Sequence, residues 1–157
     1  MAVYMQCKGK ISGLIKGSVT TAGFQDWIDV AGLQWGFTGS KQGGGDPTVN
    51  EVVITKRADV ASPLLIQSGL SNETLTGVVF KFTTTIKDGV STFTSYELTN
   101  ARITKYGVTA EADGRTVETF NLGFQKFQQT FIPLDSKLAS GSPTSVSYEL
   151  QSGKTTS

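Results

Sequence analysis

The chain has 157 residues, and its hydrophobic fraction of 38% is enough for one domain with a substantial core but too little for two. It carries 14 basic and 13 acidic residues, so a net charge of +1 gives no indication of a nucleic-acid surface. There is no histidine and Cys7 is the single cysteine, which excludes an intrachain disulfide, the usual zinc sites, and Ser-His-Asp or Cys-His catalysis. We therefore expect no cofactor and no metal.

The start of the chain lacks the basic residues and the apolar run of a signal peptide. No stretch approaches the roughly 20 apolar residues of a membrane span. We therefore expect no membrane insertion and no export by the general route.

Alternating residues mark the first predicted strand. Val3, Met5 and Cys7 are apolar, and polar or amphipathic residues lie between them. This period of two is typical of a half-buried strand. Cys7 is thus predicted to face the core as a small hydrophobic residue rather than to act as a reactive thiol.

A second strand-like segment contains both tryptophans and changes face part-way. Ile28 and Val30 share one parity, whereas Trp35 and Phe37 share the other. A bulge or bend at residues 31–32 accounts for the change. Because bulges curve sheets, this pattern favours a barrel.

A glycine-rich connection follows. It lacks the Gly-Lys-Ser/Thr ending and the following helix of a phosphate-binding loop. Long connections without structure of their own are commonly binding loops. The candidate site residues in this segment are Gly39, Ser40, Lys41, Gln42, Gly43, Gly44, Gly45, Asp46 and Pro47.

A strand at residues 51–56 leads into a short helix. Ser62 is predicted as its N-cap, Pro63 as its first residue and Gly69 as the left-handed residue that ends it. A helix of about two turns is not stable alone, so we expect its apolar residues to pack on a larger surface. Those residues are Val60, Leu64, Leu65, Ile66 and Leu70.

Two Asp-Gly pairs predict hairpin turns. Asp88-Gly89 and Asp113-Gly114 each separate two runs of strand-forming residues. Asp-Gly supplies the positive φ angles of a two-residue type I′ turn. We expect the four strands in residues 75–134 to form a meander.

A second bend is predicted late in the chain. Phe120 and Phe124 have one parity, whereas Phe127 and Phe131 have the other, which places the bend near residues 125–126. A last alternating segment then completes the sheet.

These elements together predict an all-β fold. We expect a β-barrel of two packed antiparallel sheets, with one short α-helix and a long Gly-rich extended loop. Residues 1–151 are predicted to form a single domain, and residues 152–157 a flexible tail.

Charged residues make up 17% of the chain, below the roughly 25% of an average domain. The polar faces of the predicted strands are built mainly from serine and threonine. Two interpretations have equal weight: the strand edges assemble with other copies, or threonine is present because it suits strands.

Two pairs of carboxylates are candidates for a general acid and base. Asp26 and Asp29 have opposite parity and point apart, while Glu111 and Glu118 straddle a turn that we expect to be solvated. Structural carboxylates greatly outnumber catalytic ones. We therefore predict that the protein is not an enzyme.

Three segments carry a family resemblance. They read Trp-Ile-Asp-Val…Trp-Gly at residues 27–36, Thr-Lys…Asp…Ser-Pro at residues 55–63, and Glu-Thr-Phe-Asn-Leu-Gly-Phe at residues 118–124. In this order, and together with the first strand, the glycine-rich loop and the hairpins, the chain resembles the haemolysin-coregulated protein (Hcp) family. Members of that family form the inner tube of bacterial type VI secretion systems.

The resemblance implies a structural subunit without reaction chemistry. Subunits would form hexameric rings that stack into a tube, with residues 39–47 as the ring-stacking loop. The implied partners are other copies, the secretion spike and sheath proteins, and effector proteins in the lumen. The implied localisation is the bacterial cytoplasm during assembly, followed by secretion without a signal peptide.

Two other functions are compatible with the sequence. One is a small β-barrel that binds an apolar or sugar ligand on Trp27, Trp35 and Tyr96. The other is a related phage-like tail-tube subunit. The mass in solution distinguishes a monomeric ligand-binding barrel from a ring, whereas genomic neighbours distinguish the two kinds of tube.

Overall fold

A computed structural model describes residues 1–40, 42–135, 140–150 and the backbone of 154–156. Within these ranges the chain forms strands and one short helix. In chain order they are β1 (Ala2–Gly9), β2 (Gly13–Ile15), β3 (Ile28–Val30), β4 (Gly32–Gln34), β5 (Phe37–Thr38), β6 (Thr48–Val49), β7 (Val52–Arg57), α1 (Ser62–Leu70), β8 (Leu75–Ile86), β9 (Gly89–Ala110), β10 (Thr116–Gly123), β11 (Lys126–Phe131), β12 (Thr144–Glu149) and β13 (Lys154–Thr156).

Two antiparallel sheets share the long strand β9. Its first half lies between β8 and β11, in a sheet that also contains β1, β2, β3, β12 and β13. Its second half pairs with β10, which continues through β7 to β4. The predicted all-β fold of two antiparallel sheets with one short helix is confirmed.

The core lies between the two sheets. Met5, Phe80 and Leu98 from the first sheet contact the same hydrophobic cluster as Ile54 and Phe120 from the second. Cys7 belongs to this cluster and is 1% exposed, as its parity predicts. Burial raises the pKa of its thiol to about 12 and outweighs the opposing charge of Lys56.

Both predicted bends are present, and at each the chain changes sheets. Strand β3 pairs with β1, whereas β4 pairs with β7, so the chain crosses between the sheets at Ala31. The second crossing follows β10, and the N–H of Gln125 donates to the carbonyl of Thr99 at 3.1 Å. A third bend lies within β9, where Asn100 has a φ of 51°.

The predicted meander is interrupted. Strand β11 does not pair with β10 but returns to the first half of β9, because the chain crosses to the other sheet after Gly123. Strand β12 then pairs with β11, and the backbone of β13 pairs with β12. The remaining residues of the predicted tail, 152, 153 and 157, lie outside the described residues.

The predicted type I′ turns are wrong. Gly89 and Gly114 have positive φ angles of 139° and 93°, but Asp88 and Asp113 do not, and a type I′ turn requires both. At the second hairpin the carboxylate of Asp113 accepts the N–H of Arg115 at 3.1 Å. This local hydrogen bond favours a turn in which only the glycine is left-handed.

The helix begins and ends differently from the prediction. Ala61 is the N-cap, Ser62 is the first helical residue, and the left-handed residue at the other end is Asn72, with a φ of 57°. Gly69 lies inside the helix, where a Cβ would come within 3.1 Å of Ile103. The small size of Gly69 therefore serves packing rather than termination.

Only part of the apolar run around the helix is buried. Leu65 is 2% exposed, whereas Val60, Leu64 and Leu70 are 63%, 40% and 85% exposed. One face of the helix packs on the second half of β9, and the opposite face is exposed to solvent. Within the described ranges, no helix is long and apolar enough to span a bilayer.

Candidate functional site

The glycine-rich segment forms the tip of a two-stranded arm, residues 37–49. Its strands β5 and β6 pair only with each other among the described strands. Gly43, Gly44 and Gly45 have φ angles of 104°, 104° and 108°, in the left-handed region that favours glycine. A Cβ built on any of the three meets nothing within 4 Å, so the backbone conformation and not close packing requires glycine there.

The candidate site residues lie together on this tip. Gly39, Ser40 and residues 42–46 are exposed, and Pro47 is half-buried. Lys41 lies outside the described residues. The arm is thus an extended surface feature, and its role in ring stacking stays a prediction.

Trp35 anchors the base of the arm to the barrel. Its ring stacks on Phe127 with centroids 4.0 Å apart and planes 13° from parallel. Its indole N–H donates to the carbonyl of Asn50 at 3.0 Å, and the N–H of Asn50 donates to the carbonyl of Gly36 at 3.0 Å. A hydrophobic stack and two hydrogen bonds therefore fix where the arm leaves the fold.

The alternative prediction of a ligand-binding barrel placed Trp27, Trp35 and Tyr96 on one surface, but they do not lie together. Tyr96 and Trp35 are neighbours, with ring centroids 6.4 Å apart. Trp27 instead packs edge-on against Phe24 at 5.1 Å, and the ammonium of Lys81 lies 5.5 Å from its ring centre. Trp27 therefore contributes to a different surface from Trp35 and Tyr96.

A buried polar cluster lies where β7 meets the start of α1. The Lys56 ammonium, with a side chain that is 0% exposed, donates to Glu118 at 2.8 Å, Asp59 at 2.9 Å and Ser62 at 3.1 Å. The Ser62 hydroxyl donates to Glu118 at 2.6 Å, and the Tyr106 hydroxyl donates to the other oxygen of Glu118 at 2.8 Å. The cluster joins β7, β9 and β10 of the second sheet to the helix.

This cluster explains why Ser62 is not the N-cap. Its hydroxyl faces Glu118 and accepts the N–H of Asp59 at 3.0 Å, while the Asp59 carboxylate accepts the N–H of Ala61 at 3.0 Å. Asp59 thus satisfies the first free donor of the helix. The sequence contains a signal for the cluster, since Lys56 shares its parity with the buried residues Val52 and Ile54.

The structure brings neither candidate carboxylate pair together. Glu111 is exposed, but Glu118 is 2% exposed and occupied by its three partners, which corrects the expectation that it is solvated. Asp26 has a φ of 66° outside the strand, and Asp29 lies on the exposed side of β3. Among the described residues, no three acidic or cysteine side chains are placed to hold a metal ion.

Comparison with known proteins identifies the family. The family model described as "Type VI secretion system effector, Hcp" matches residues 4–131, which is most of the chain. The chain belongs to the Hcp family. A comparison with curated protein sequences found no significant match.

Solved Hcp-family structures share the fold. A structure described as a type six secretion system protein superposes with a TM-score of 0.87 at 20% identity, covering 99% of each chain. Hcp1 from Salmonella typhimurium gives 0.78 at 18% identity, covering 99% of this chain and 100% of its own. Secreted protein Hcp3 from Pseudomonas aeruginosa gives 0.69 at 24% identity, covering 94% of this chain and 98% of its own.

In this Hcp-family chain, two of the segments that carried the resemblance supply the buried cluster. The Thr-Lys…Asp…Ser-Pro segment contributes Lys56, Asp59 and Ser62, and the third segment begins with Glu118. Burial alone would raise the pKa of Glu118, but hydrogen bonds from Lys56, Ser62 and Tyr106 together lower it. These residues connect the second sheet to the start of the helix.

Acid is expected to destabilise the protein through two buried carboxylates. The pKa values of Glu118 and Glu73 lie below the ordinary value of 4.5, and for Glu73 the N–H of Ser12 is the main cause. The unfolded chain therefore binds more protons, so this stability is present above pH 4.5 and is lost as the pH falls through the folded-state values. Denaturant unfolding at a series of pH values measures the loss.

At alkaline pH, stability is expected to fall as the pH rises. Burial and the nearby Glu118 raise the pKa of Tyr106 from 10.0 to about 12, so stability is lost as the pH rises between these values. Tyr106→Phe is expected to reduce the alkaline loss and Glu118→Gln the acid loss. An acid limb of unchanged slope in Glu118→Gln would contradict the assignment.

Proposed function

We propose that this chain is a structural subunit of a bacterial type VI secretion tube. The observation that carries the proposal is the match to the Hcp family over residues 4–131. The similarity in fold to a solved type six secretion system protein extends over 99% of the chain. Six subunits would form a ring, and rings would stack to enclose a lumen for effector proteins. The secretion spike and sheath would be the other partners.

The proposed secretion route follows from the role as a tube subunit. The subunit would be made and assembled in the bacterial cytoplasm and then leave with the tube, without a signal peptide. Mechanism here consists of repeated contacts between copies, and no step requires catalysis. The structure is compatible with this, because its buried carboxylates are engaged within the fold.

The arm is proposed to connect successive rings. It is exposed, it makes its own two-stranded sheet, and a stacked pair of aromatic rings fixes its base. Glycines with positive φ at the tip allow it to adapt to a neighbouring surface. Contacts through the arm would thus form along the tube axis, while sheet edges and faces would form the ring.

Removal of residues 40–46 is expected to abolish tube growth and to leave rings intact, because the deletion spares Trp35 and both arm strands. Light scattering of the unaltered protein should give a six-fold subunit mass, and electron microscopy should show tubes. Replacing the exposed turn residues Lys87 and Asp88 by glycine is the control, and should leave tubes unchanged.

The outcomes separate the two levels of the proposal. Normal tubes from the arm deletion would exclude the stacking role of the arm but would not contradict the proposed ring. A monomeric unaltered protein at micromolar concentration would contradict the tube subunit itself. A phage-like tail tube predicts the same ring, and genomic neighbours would distinguish it.

A further inference from the structure

A cavity of about 440 Å³ lies between the arm and the far end of the first sheet. This volume falls within the roughly 300–1,000 Å³ of typical small-molecule sites. Its walls come from the arm and from β11 and β12. The residues that define its chemistry are Trp35, Phe37, Asp46, Phe127, Gln129 and Tyr148.

Four aromatic residues line the cavity. Phe127 and Tyr148 are directly opposite each other on β11 and β12, so their side chains share one face of the sheet. Trp35 stacks on Phe127, and the ring of Phe37 is 6.0 Å from that of Trp35. Because the indole N–H is already bonded to Asn50, Trp35 lines the cavity without a free hydrogen-bond donor.

The described lining of the cavity carries negative charge. Among the residues that the structure describes, Asp46 is the only charged one that lines the cavity. Aromatic faces attract cations through their quadrupole, most strongly where water is excluded. A carboxylate at the rim adds to that attraction, whereas a neutral molecule gains nothing from it and an anion is repelled.

We propose that this cavity binds a small organic cation, namely a substituted ammonium ion with an apolar body. The apolar body fills the space between Phe37, Trp35 and Tyr148, and the charged end faces Asp46. The described lining belongs to one subunit, so the proposal does not require a ring to form.

The test uses the full chain and benzyltrimethylammonium as the probe. The chain has 2 tryptophans, so Trp27→Phe leaves Trp35 as the single reporter of the cavity. We expect saturable quenching of its fluorescence. The uncharged isostere neopentylbenzene should bind about five- to thirty-fold more weakly, the equivalent of one cation–π interaction.

Charge variants at the rim decide the proposal without disturbing the fold, since Asp46 is exposed. Asp46→Asn should weaken cation binding about two- to five-fold, and Asp46→Lys should weaken it further, with no effect on the isostere. Asp88→Lys, at an exposed aspartate that does not line the cavity, is the matched control. Equal affinity for probe and isostere, unchanged affinity in Asp46→Lys, or no saturable quenching would overturn the proposal.

Vesicles of phosphatidylcholine distinguish a free ammonium from the same group on a lipid. The cavity lies under the arm rather than on an open face, so we expect no co-sedimentation with the vesicles. Co-sedimentation that Asp46→Lys abolishes would assign the site to a lipid headgroup and overturn the free-molecule proposal.

Discussion

Replacing Lys56 by alanine is expected to destabilise the protein by about 3–5 kcal/mol, the usual cost of removing one partner from a buried ion pair. The substitution leaves the Glu118 carboxylate without its cation in a site where the side chain is 3% exposed. It also removes the donor that Asp59 and Ser62 share. Urea unfolding followed by tryptophan fluorescence measures the change in the free energy of unfolding.

Two comparisons isolate the buried charge as the cause. Arg115→Ala breaks a pair whose side chains are 63% and 54% exposed, and should change stability by less than about 1 kcal/mol. Lys56→Met combined with Glu118→Leu removes both charges and should cost less than Lys56→Ala alone. If Lys56→Ala were as mild as Arg115→Ala, the cluster would not stabilise the fold.

The cluster also gives a physical reason for the segment that resembles the family. Lys56 lies on β7 directly opposite Glu118 on β10, so the register of these strands brings the two charges together. Asp59 and Ser62 then bind the start of the helix to that pair. In this protein Lys56, Asp59 and Ser62 of the segment dock the helix on the second sheet.

Side-chain parity predicted the architecture well. Both crossings between sheets were visible as a change of the apolar face, at residues 31–32 and 125–126, because a buried face requires apolar residues at every second position. The inward position of Cys7 followed from the same pattern. Such features depend only on local periodicity.

Features set by distant residues were not predictable in the same way. Ser62 stands in a favourable position for an N-cap, but Glu118, 56 residues away along the chain, binds its hydroxyl instead. The return of β11 to β9 depends on which sheet the chain enters after its bend. The parity of Lys56 did place it on the buried face of β7. The local sequence does not encode the distant partners of Lys56 or the break in the meander, so these were missed.

Gly9→Ala is the second substitution expected to have a large effect, about 2–3 kcal/mol. A Cβ on Gly9 would overlap Oε1 of Glu73, a side chain that is 5% exposed. That oxygen accepts the N–H groups of Ile11 and Ser12 at 2.8 and 2.7 Å, and the other oxygen accepts the Ser12 hydroxyl at 2.7 Å. Displacing Glu73 would leave these donors unpaired and the turn between β1 and β2 unsupported.

A neighbouring glycine provides the control. Gly77 lies on β8, opposite Lys8, and a Cβ there meets nothing within 4 Å. Gly77→Ala should therefore be neutral or slightly stabilising, since alanine has less freedom to lose on folding. If the loss in Gly9→Ala comes through Glu73, the same substitution in a Glu73→Ala background should cost little more than Glu73→Ala alone. Full additivity would instead place the cause in the backbone of β1, and the carboxylate would not be what fixes the turn.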